Sequence, residues 1–348
     1  MPSRTAFVTG ANGHLGNNLV KALMARGWRV RASVRDASDP RKRERLPEHG
    51  LELVSLDVRD ADAFARHCEG VDVLFHAAAT YKNYVAGAAE AQAMLRDSLD
   101  GAAAAVRAAA QQRIPRLVLT SSVVTLPFMP PGGRATTEED WRTDFRVPYH
   151  RAKTLAEQQA WKLAGELGVD MVAVLPGAIL GPGFSRSTAS TDVIEVIRRG
   201  GLKNGVPNAN FPAVDIRDVV DGHLLAADTT AGGRFILCND HLPSFMELAT
   251  LVHQIDPSVP PPGRLLPDFL VPLAPMFDWL NHRLLGSPRT LDADFVAAVK
   301  GMRWTMSNRR AQEVLGWRQR IPLARSVADT LASLRALATR REAVAAAL

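Results

Sequence analysis

Tyr149 and Lys153 stand four residues apart in Tyr149-His150-Arg151-Ala152-Lys153. On a helix that spacing puts a phenol and an ammonium on one face, one turn apart. A nearby cation favours phenolate over phenol, so it lowers a tyrosine pKa that is ordinarily near ~10. Such a tyrosine can donate or accept a proton near neutral pH. The same spacing also occurs on plain solvent-facing helices, so the pair takes its meaning from what surrounds it. Ser121 and Ser122 follow the strand-like run Arg116-Leu117-Val118-Leu119-Thr120. A hydroxyl beside the tyrosine could hold and polarise a carbonyl group.

The N-terminus supplies a partner for this chemistry. Ala6-Phe7-Val8-Thr9 is an apolar run leading into Gly10-Ala11-Asn12-Gly13-His14-Leu15-Gly16. Asn17 to Gly27 follows with apolar residues at helical spacing and a glycine stop, and Trp28 to Arg35 reads as a second strand. Strand, glycine turn, helix and strand within about 30 residues is the setting a dinucleotide-binding turn requires. The helix start then offers free N–H groups and a positive dipole end to phosphates. Gly10, Asn12, Gly13, His14, Leu15 and Gly16 are thereby assigned to a cofactor site.

The elements that must position these residues alternate regularly. Residues 51–56, 71–76, 116–120 and 171–175 read as strands; 90–112 and 149–167 read as helices. Such alternation predicts an α/β Rossmann fold, a doubly wound parallel sheet covered on both faces. Ligands bind such sheets beyond the carboxyl ends of the strands. Gly10, Arg35, Asp57, Ala77, Ser122 and Pro176 each fall just past a strand end. After Pro176 the pattern loosens and Gly, Pro and Asn become frequent; a regular piece returns at 214–228 and a strand at 235–238. The expected organisation is a dinucleotide-binding domain over 1–176, with 213–239 returning to it. A smaller mixed substrate-binding domain takes 177–212 and 240–320, and a C-terminal helix takes 321–348, its alanine-rich end from Arg340 fraying.

Composition narrows the partners. The chain has 348 residues, 47% hydrophobic and 22% charged, with a formal net charge of +6. These are the proportions of a soluble globular protein. Scattered arginines make up the excess; no long basic run with interleaved aromatics marks a nucleic-acid partner. Cys68 and Cys238 lie far apart without metal-ligand spacing and read as reduced, part-buried thiols of a cytoplasmic protein. No His/Cys/Asp cluster suggests a metal. The greasiest stretch, Leu265 to Leu285, is interrupted by Pro267, Asp268, Pro272, Pro275 and Asp278. No run therefore reaches the ~20 residues of a membrane helix. No signal peptide is evident, since the first strand begins within a few residues of Met1.

The turn is spaced G-x-x-G-x-x-G. Leu56-Asp57-Val58, His76-Ala77-Ala78-Ala79, Thr120-Ser121-Ser122, Tyr149 to Lys153 and Leu175-Pro176-Gly177 follow it in order. In these motifs the chain resembles the extended short-chain dehydrogenases/reductases of the NAD-dependent epimerase/dehydratase superfamily. Within them it is most similar to the dihydroflavonol reductase-like branch, especially over Lys153 to Lys162. The resemblance covers most of the chain and is strongest from Thr5 to Gly183. It implies Tyr149 as the proton donor and Lys153 as the group that lowers its pKa and holds the nicotinamide ribose. It places the catalytic hydroxyl at the last serine of its run, Ser122, with Ser121 and then Thr125 as alternatives. It also implies that Asp57 and Val58 flank the adenine and that Ala77, Ala78 and Ala79 line the cofactor's midsection. Pro176, Gly177 and Ile179 join the cofactor set. His76 reads as a strand-end packing residue, and His150 as turned away from the Tyr–Lys face.

The end of the second strand bears on the cofactor's phosphate. An acid there would hold a ribose 2′-OH and favour NAD. Arg35 stands there instead, followed by Asp36. Arginine geometry suits a 2′-phosphate. In the resembled branch a Val-Arg-Asp supplies this arginine and a lysine seven residues on assists, a pattern that Arg35 and Lys42 match. NADP(H) is expected over NAD(H); the alternative leaves Arg35 in solvent and gives the ribose to Asp36.

The substrate is less legible. The loop Pro176 to Pro182 lacks the asparagine with which sugar epimerases of this family hold a diphosphate, and Val123-Val124 stands where dehydratases carry Asp-Glu. Phe128, Met129, Phe184, Phe269, Leu270, Met276, Phe277 and Trp279 suggest an apolar pocket, or in part the core of the smaller domain. The sequence thus points to reduction of a small hydrophobic or aromatic ketone or aldehyde, or the reverse oxidation. The alternatives are a nucleotide-sugar epimerase or reductase and, of another class, a non-catalytic dinucleotide-sensing regulator. The expected partner is a small-molecule substrate, with a homodimer left open.

Overall fold

The computed structural model describes residues 3–79, 85, 87–273, 276, 279–280, 283, 296–297 and 303–346. Seven strands form one sheet in the order β3-β2-β1-β4-β5-β6-β9. They are β1 (Thr5–Thr9), β2 (Arg29–Val34), β3 (Leu51–Ser55), β4 (Val73–His76), β5 (Arg116–Thr120), β6 (Met171–Pro176) and β9 (Gly233–Leu237). Every pairing between them is parallel. A sheet buried on both faces selects continuous apolar runs rather than alternation. Met171–Pro176 is such a run, buried at every position. The strand order reverses between β1 and β4, which opens a crevice beyond their carboxyl ends.

Helices cover both faces. On one, α1 (His14–Ala25) and α7 (Ile216–Asp228) pack Leu15, Leu19, Leu23, Val219 and Leu224 against Val8, Phe75 and Val174. On the other lie α3 (Ala61–His67), α4 (Ala88–Gln111) and α5 (Pro148–Leu167). Small side chains set their spacing: Ala102, Ala105 and Ala109 of α4 share a core with Ala156, Ala160 and Ala164 of α5. Pro148 opens α5 and Gly168, at φ 65°, ends it in the left-handed region. The short α2 (Pro40–Arg43) is capped by Asp39.

A smaller unit sits on the carboxyl edge. It holds a two-stranded parallel pair, β7 (Ala178–Leu180) with β8 (Ala213–Asp215), and helices α6 (Ala189–Arg198) and α8 (Phe245–Ile255). Both helices start in capping boxes, Thr188 with Thr191 and Ser244 with Glu247. The last helix, α10 (Leu323–Ala346), supplies Val327, Leu331 and Leu334 to this unit's core. The preceding α9 (Arg309–Val314) joins the main sheet instead, where Ala311, Leu315 and Trp317 enter the core beside α1 and α7.

Residues 303–308 tie the two parts together. Arg303 bridges Met129, and Met306 bridges Thr136. The Asn210 amide donates to Trp304 O at 2.6 Å and accepts from Trp304 N at 2.9 Å, and Asn308 donates to Cys238 O at 2.9 Å. Phe184 is 1% exposed and belongs to the smaller unit's core, so packing rather than pocket lining accounts for it. Phe128 is buried too, whereas Phe269, Met276 and Trp279 are exposed. Leu270 is half-buried, and Phe277 lies outside the described residues. Among the described residues no helix is long and apolar enough to cross a membrane, and no group of His, Cys, Asp and Glu could hold a metal.

Two glycines differ sharply in what a methyl group would meet. A Cβ on Gly16 would lie 2.3 Å from Gly10 O, whereas one on Gly165, in α5, meets nothing within 4 Å. Gly16→Ala should therefore destabilise by roughly 1–3 kcal/mol through overpacking. Gly165→Ala should stabilise by about 0.5–1 kcal/mol through helix propensity. Urea midpoints of the two variants against the parent chain check both signs.

Candidate active site

The dinucleotide turn is fixed by backbone proximity. Gly10 follows β1 at φ 69°, a conformation that side chains disfavour. A Cβ there would sit 2.8 Å from Ala78 Cα, so the β1 and β4 ends approach as closely as backbone allows. Thr9 Oγ1 seals that approach by accepting from Ala78 N at 3.1 Å. Gly13 N donates to Gly10 O at 2.9 Å and caps α1 without a side-chain bond. The amides of His14, Leu15 and Gly16 find no acceptor among the described residues. They converge on the crevice with the positive end of the α1 dipole, the arrangement that holds a pyrophosphate. Asn12 is half-buried on the turn. The side chains of His14 and Leu15 face elsewhere. His14 Nε2 donates to Pro182 O at 2.9 Å, and Leu15 packs in the core. Both residues thus offer the crevice only their backbone.

Next along the edge stands Arg35, exposed just past β2. Among the described residues no carboxylate lies within ion-pair distance of it. Asp36 is occupied locally: it accepts from Ser38 N at 2.9 Å and Ser38 Oγ at 2.6 Å, bonds that hold its carboxyl below the usual range. Lys42, half-buried in α2, likewise has no carboxylate within ion-pair distance among the described residues, though Asp39 lies near enough to feel its charge. Asp57 is gripped by Arg59, which holds its pKa down to about 2 and also reaches Asp97 of α4 at 2.9 Å. Val58 packs towards Gly101 of the same helix. Ala77 and Ala78 are half-buried and Ala79 is exposed beyond β4. Pro176 ends β6, and Ala178 N donates to Pro212 O at 2.7 Å. That bond brings Pro212 O so near Gly177 that a Cβ there would lie 2.0 Å from it. Ile179 is half-buried in β7.

Tyr149 and Lys153 lie in the first turns of α5, on one face and half-buried. Lys153 Nζ donates to Thr120 O at 3.1 Å, which docks the lysine against the end of β5. Burial pulls its pKa down to about 8, and Glu157, one turn further along α5, works against that fall. Thr120 is itself steadied from the sheet's other face. His223 donates from Nδ1 to Val219 O at 2.8 Å, which leaves Nε2 to accept from Thr120 Oγ1 at 3.0 Å.

The two serines after β5 part company. Ser121 is buried and donates to Glu157 Oε2 at 2.5 Å. Ser122 is half-buried, and its Oγ accepts from Val124 N at 3.3 Å at the start of a single 3-10 turn. Thr125 Oγ1 donates to Ser122 O at 2.9 Å and accepts from Arg234 Nη2 at 2.7 Å. A half-exposed hydroxyl beside a Tyr–Lys helix is able to engage a carbonyl oxygen; a serine committed to a buried carboxylate is not. Glu157 and Arg234 were absent from the sequence-derived set. Glu157 had a readable signal, since Tyr149, Lys153 and Glu157 follow one another at helical spacing. Arg234 had none.

The flanking histidines are structural. His76 is buried, shares a 3.1 Å hydrogen bond with Thr9 Oγ1 and rests 5.9 Å from the Phe64 ring. His150 is buried with its ring 6.0 Å from Phe128, and Phe128 stands 4.3 Å from Trp304. Cys68 and Cys238 are fully buried free thiols; burial pushes Cys68 up to about 12 and Cys238 higher still.

A doubly wound parallel sheet with an open helix N-terminus at its switch point defines a dinucleotide-binding α/β protein. Residues 6–238 match the NAD dependent epimerase/dehydratase family, and the chain belongs to it. It falls in the extended short-chain dehydrogenase/reductase group, dihydroflavonol reductase-like branch, and is an NAD(P)-dependent oxidoreductase of CH–OH and carbonyl groups. The chain is 30% identical to a cinnamoyl-CoA reductase, CAD2, of Medicago truncatula over 277 residues, 75% of this chain and 83% of that protein. It is 32% identical to a putative dihydroflavonol 4-reductase of Synechocystis sp. over 287 residues, 80% of this chain and 79% of that one. The crystal structure of gox2253 superposes with a TM-score of 0.79 at 28% identity, covering 96% of this chain and 98% of that one.

Four histidines around and beneath this site are held neutral by burial: His14 and His223 fall to about 4, His76 and His150 to about 3. In the unfolded chain they titrate near ~6.5. Between about pH 6.5 and 4 the unfolded state binds the extra protons, so stability rises with pH there and is lost as pH falls. Each histidine contributes a slope of about 1.4 kcal/mol per pH unit in that window. Urea midpoints should drop steeply between pH 7 and pH 5. A flat profile would contradict neutral burial of these rings.

Proposed function

We propose that the chain is an NADP(H)-dependent carbonyl reductase or alcohol dehydrogenase on a small hydrophobic or aromatic ketone or aldehyde. The observation that carries this reading is Lys153 docked on Thr120 O at the end of β5, with Tyr149 one turn before it on α5 and Ser122 two residues past that strand end. The amides at the start of α1, held in place by the close backbone approaches at Gly10 and Gly16, fit a dinucleotide pyrophosphate. Bound there, the nicotinamide supplies hydride chemistry.

The chain's own residues do the rest. Ser122 donates its hydroxyl hydrogen bond to the substrate carbonyl oxygen and polarises it. Tyr149 hands its phenolic proton to that oxygen as negative charge develops. Lys153, still mainly cationic at neutral pH, stabilises the phenolate that remains. With one N–H spent on Thr120 O, its ammonium keeps two donors for the ribose hydroxyls. In the oxidative direction the same proton path runs backwards.

Arg35 and Lys42 bind the 2′-phosphate. Asp36 is engaged with Ser38, which disfavours its use as a ribose acceptor. The aromatic substrate is supported by relatives named for cinnamoyl-CoA and dihydroflavonol reduction.

Purified protein should oxidise NADPH with members of a panel of aromatic aldehydes and ketones. Tyr149→Phe should lower kcat by roughly 10²–10⁴-fold, with NADPH affinity preserved. Turnover that survives this substitution sinks the mechanism, and tight UDP-sugar binding without carbonyl reduction would point to epimerase chemistry. Arg35→Ala should weaken NADPH roughly 10–100-fold through loss of a charge-assisted contact while leaving NADH nearly unchanged. Equal effects on the two cofactors would separate Arg35 from the phosphate.

A further inference from the structure

Behind the Ser122 turn lies a buried polar cluster that proton transfer does not use. Glu157 accepts from Ser121 Oγ, from Arg234 Nε at 2.8 Å and from Trp161 Nε1 at 3.3 Å. Arg234 comes from β9, the last strand of the sheet, and Nη1 donates to Glu138 O at 2.7 Å and Asp140 O at 2.8 Å. Its Nη2 donates to Thr125 Oγ1, and its guanidinium lies 3.7 Å over the Trp141 ring. The side chains of the pair are 6% and 1% exposed for Arg234 and Glu157.

These contacts bracket Ser122 on both sides. Ser121, just before it, is tied to Glu157, and Thr125, three residues on, is tied to Arg234 and back to Ser122 O. The turn spans Val123–Thr125; its own bonds, Thr125 N to Ser122 O at 3.1 Å and Leu126 N to Val123 O at 3.0 Å among them, set its shape, while contacts from outside set its place against the sheet. A buried ion pair is a poor source of net stability, since desolvation offsets its attraction, but it does impose a geometry. Here Arg234 spends its donors on Glu157, on Thr125 and on the 138–140 segment, while Glu157 accepts from Arg234, from Ser121 and from Trp161 of its own helix.

We propose that Glu157 and Arg234 are positioning residues for the Ser122 hydroxyl, acting through Ser121 and Thr125. The proposal rests on the reading of Ser122 as the group that holds the carbonyl. Glu157 also stands one turn from Lys153, so a single carboxylate ties the hydroxyl's turn to the lysine's helix.

A mutant cycle on the intact protein tests it, with NADPH and an aromatic aldehyde as the assay. Ser121→Ala and Thr125→Val each remove one grip at nearly constant volume. Each should lower kcat about 5–10-fold, the size expected of one lost hydrogen bond, with the Kd for NADPH unchanged. In a Ser122→Ala background the same substitutions should change kcat less than about twofold, because their route is gone. Equal losses in both backgrounds, or none in the parent, overturn the positioning role. Ser122→Ala at full kcat would overturn the underlying reading instead. Glu157→Gln gives a readout that needs no substrate: amide exchange should quicken over 121–126 and stay unchanged in α1. Unaltered protection over 121–126 would also overturn the proposal, and if Glu157→Gln does not fold, the two hydroxyl variants decide.

Discussion

A lysine ammonium drawn out of water at the end of β5 is the constraint around which this edge of the molecule is arranged. Burial pulls Lys153 towards neutrality, and Glu157 opposes that pull. A carboxylate placed there is itself buried, so it needs a cation of its own, and Arg234 of β9 supplies one. Arg234 in turn needs acceptors, found in the carbonyls of Glu138 and Asp140 and the hydroxyl of Thr125. One desolvated charge thus recruits α5, the last strand and two loops, because no member of such a chain can be left unpaired in a low-dielectric interior.

The opposite side of the crevice is built on the reverse principle. There the amides at the start of α1 have no partner among the described residues, and nothing acidic occupies the helix's first turn. Positive potential at that end comes from peptide dipoles rather than side chains, so it survives at any pH the fold tolerates. The histidines nearby add no charge, because burial keeps them neutral. The crevice is therefore bounded by a fixed dipole on one wall and a titratable lysine on the other.

Much of this was readable from the residues. Strands buried on both faces must be apolar throughout, so 171–175 and 116–120 stood out without knowledge of their neighbours. The glycine turn was equally plain, since Gly10 and Gly16 answer to backbone contacts a few residues away. What escaped was non-local or short. The three-residue strands Ala178–Leu180 and Ala213–Asp215 carry no period long enough to see. Helix α6 starts with a Thr188–Thr191 box, which lacks the Glu or Gln that usually marks one. Trp317, far along the chain in a proline-rich region, joins the sheet's core by donating to Asp218 O at 2.8 Å, a contact no local pattern announces. Arg234 reads in sequence as one more strand residue; only the fold brings it to Glu157.

The tie at 303–308 has a consequence for the order in which the molecule is made. Met129, Thr136, Asn210 and Cys238 all wait for that one segment. During synthesis, which delivers the chain from its N-terminus, the crevice for a dinucleotide has all its strands by the time β9 emerges. Phe128 still lacks its ring partner Trp304 at that moment. A nascent chain thus has every strand of its crevice some seventy residues before segment 303–308 can be drawn in, and a tightly held dinucleotide would stabilise the half-made molecule through that interval by mass action.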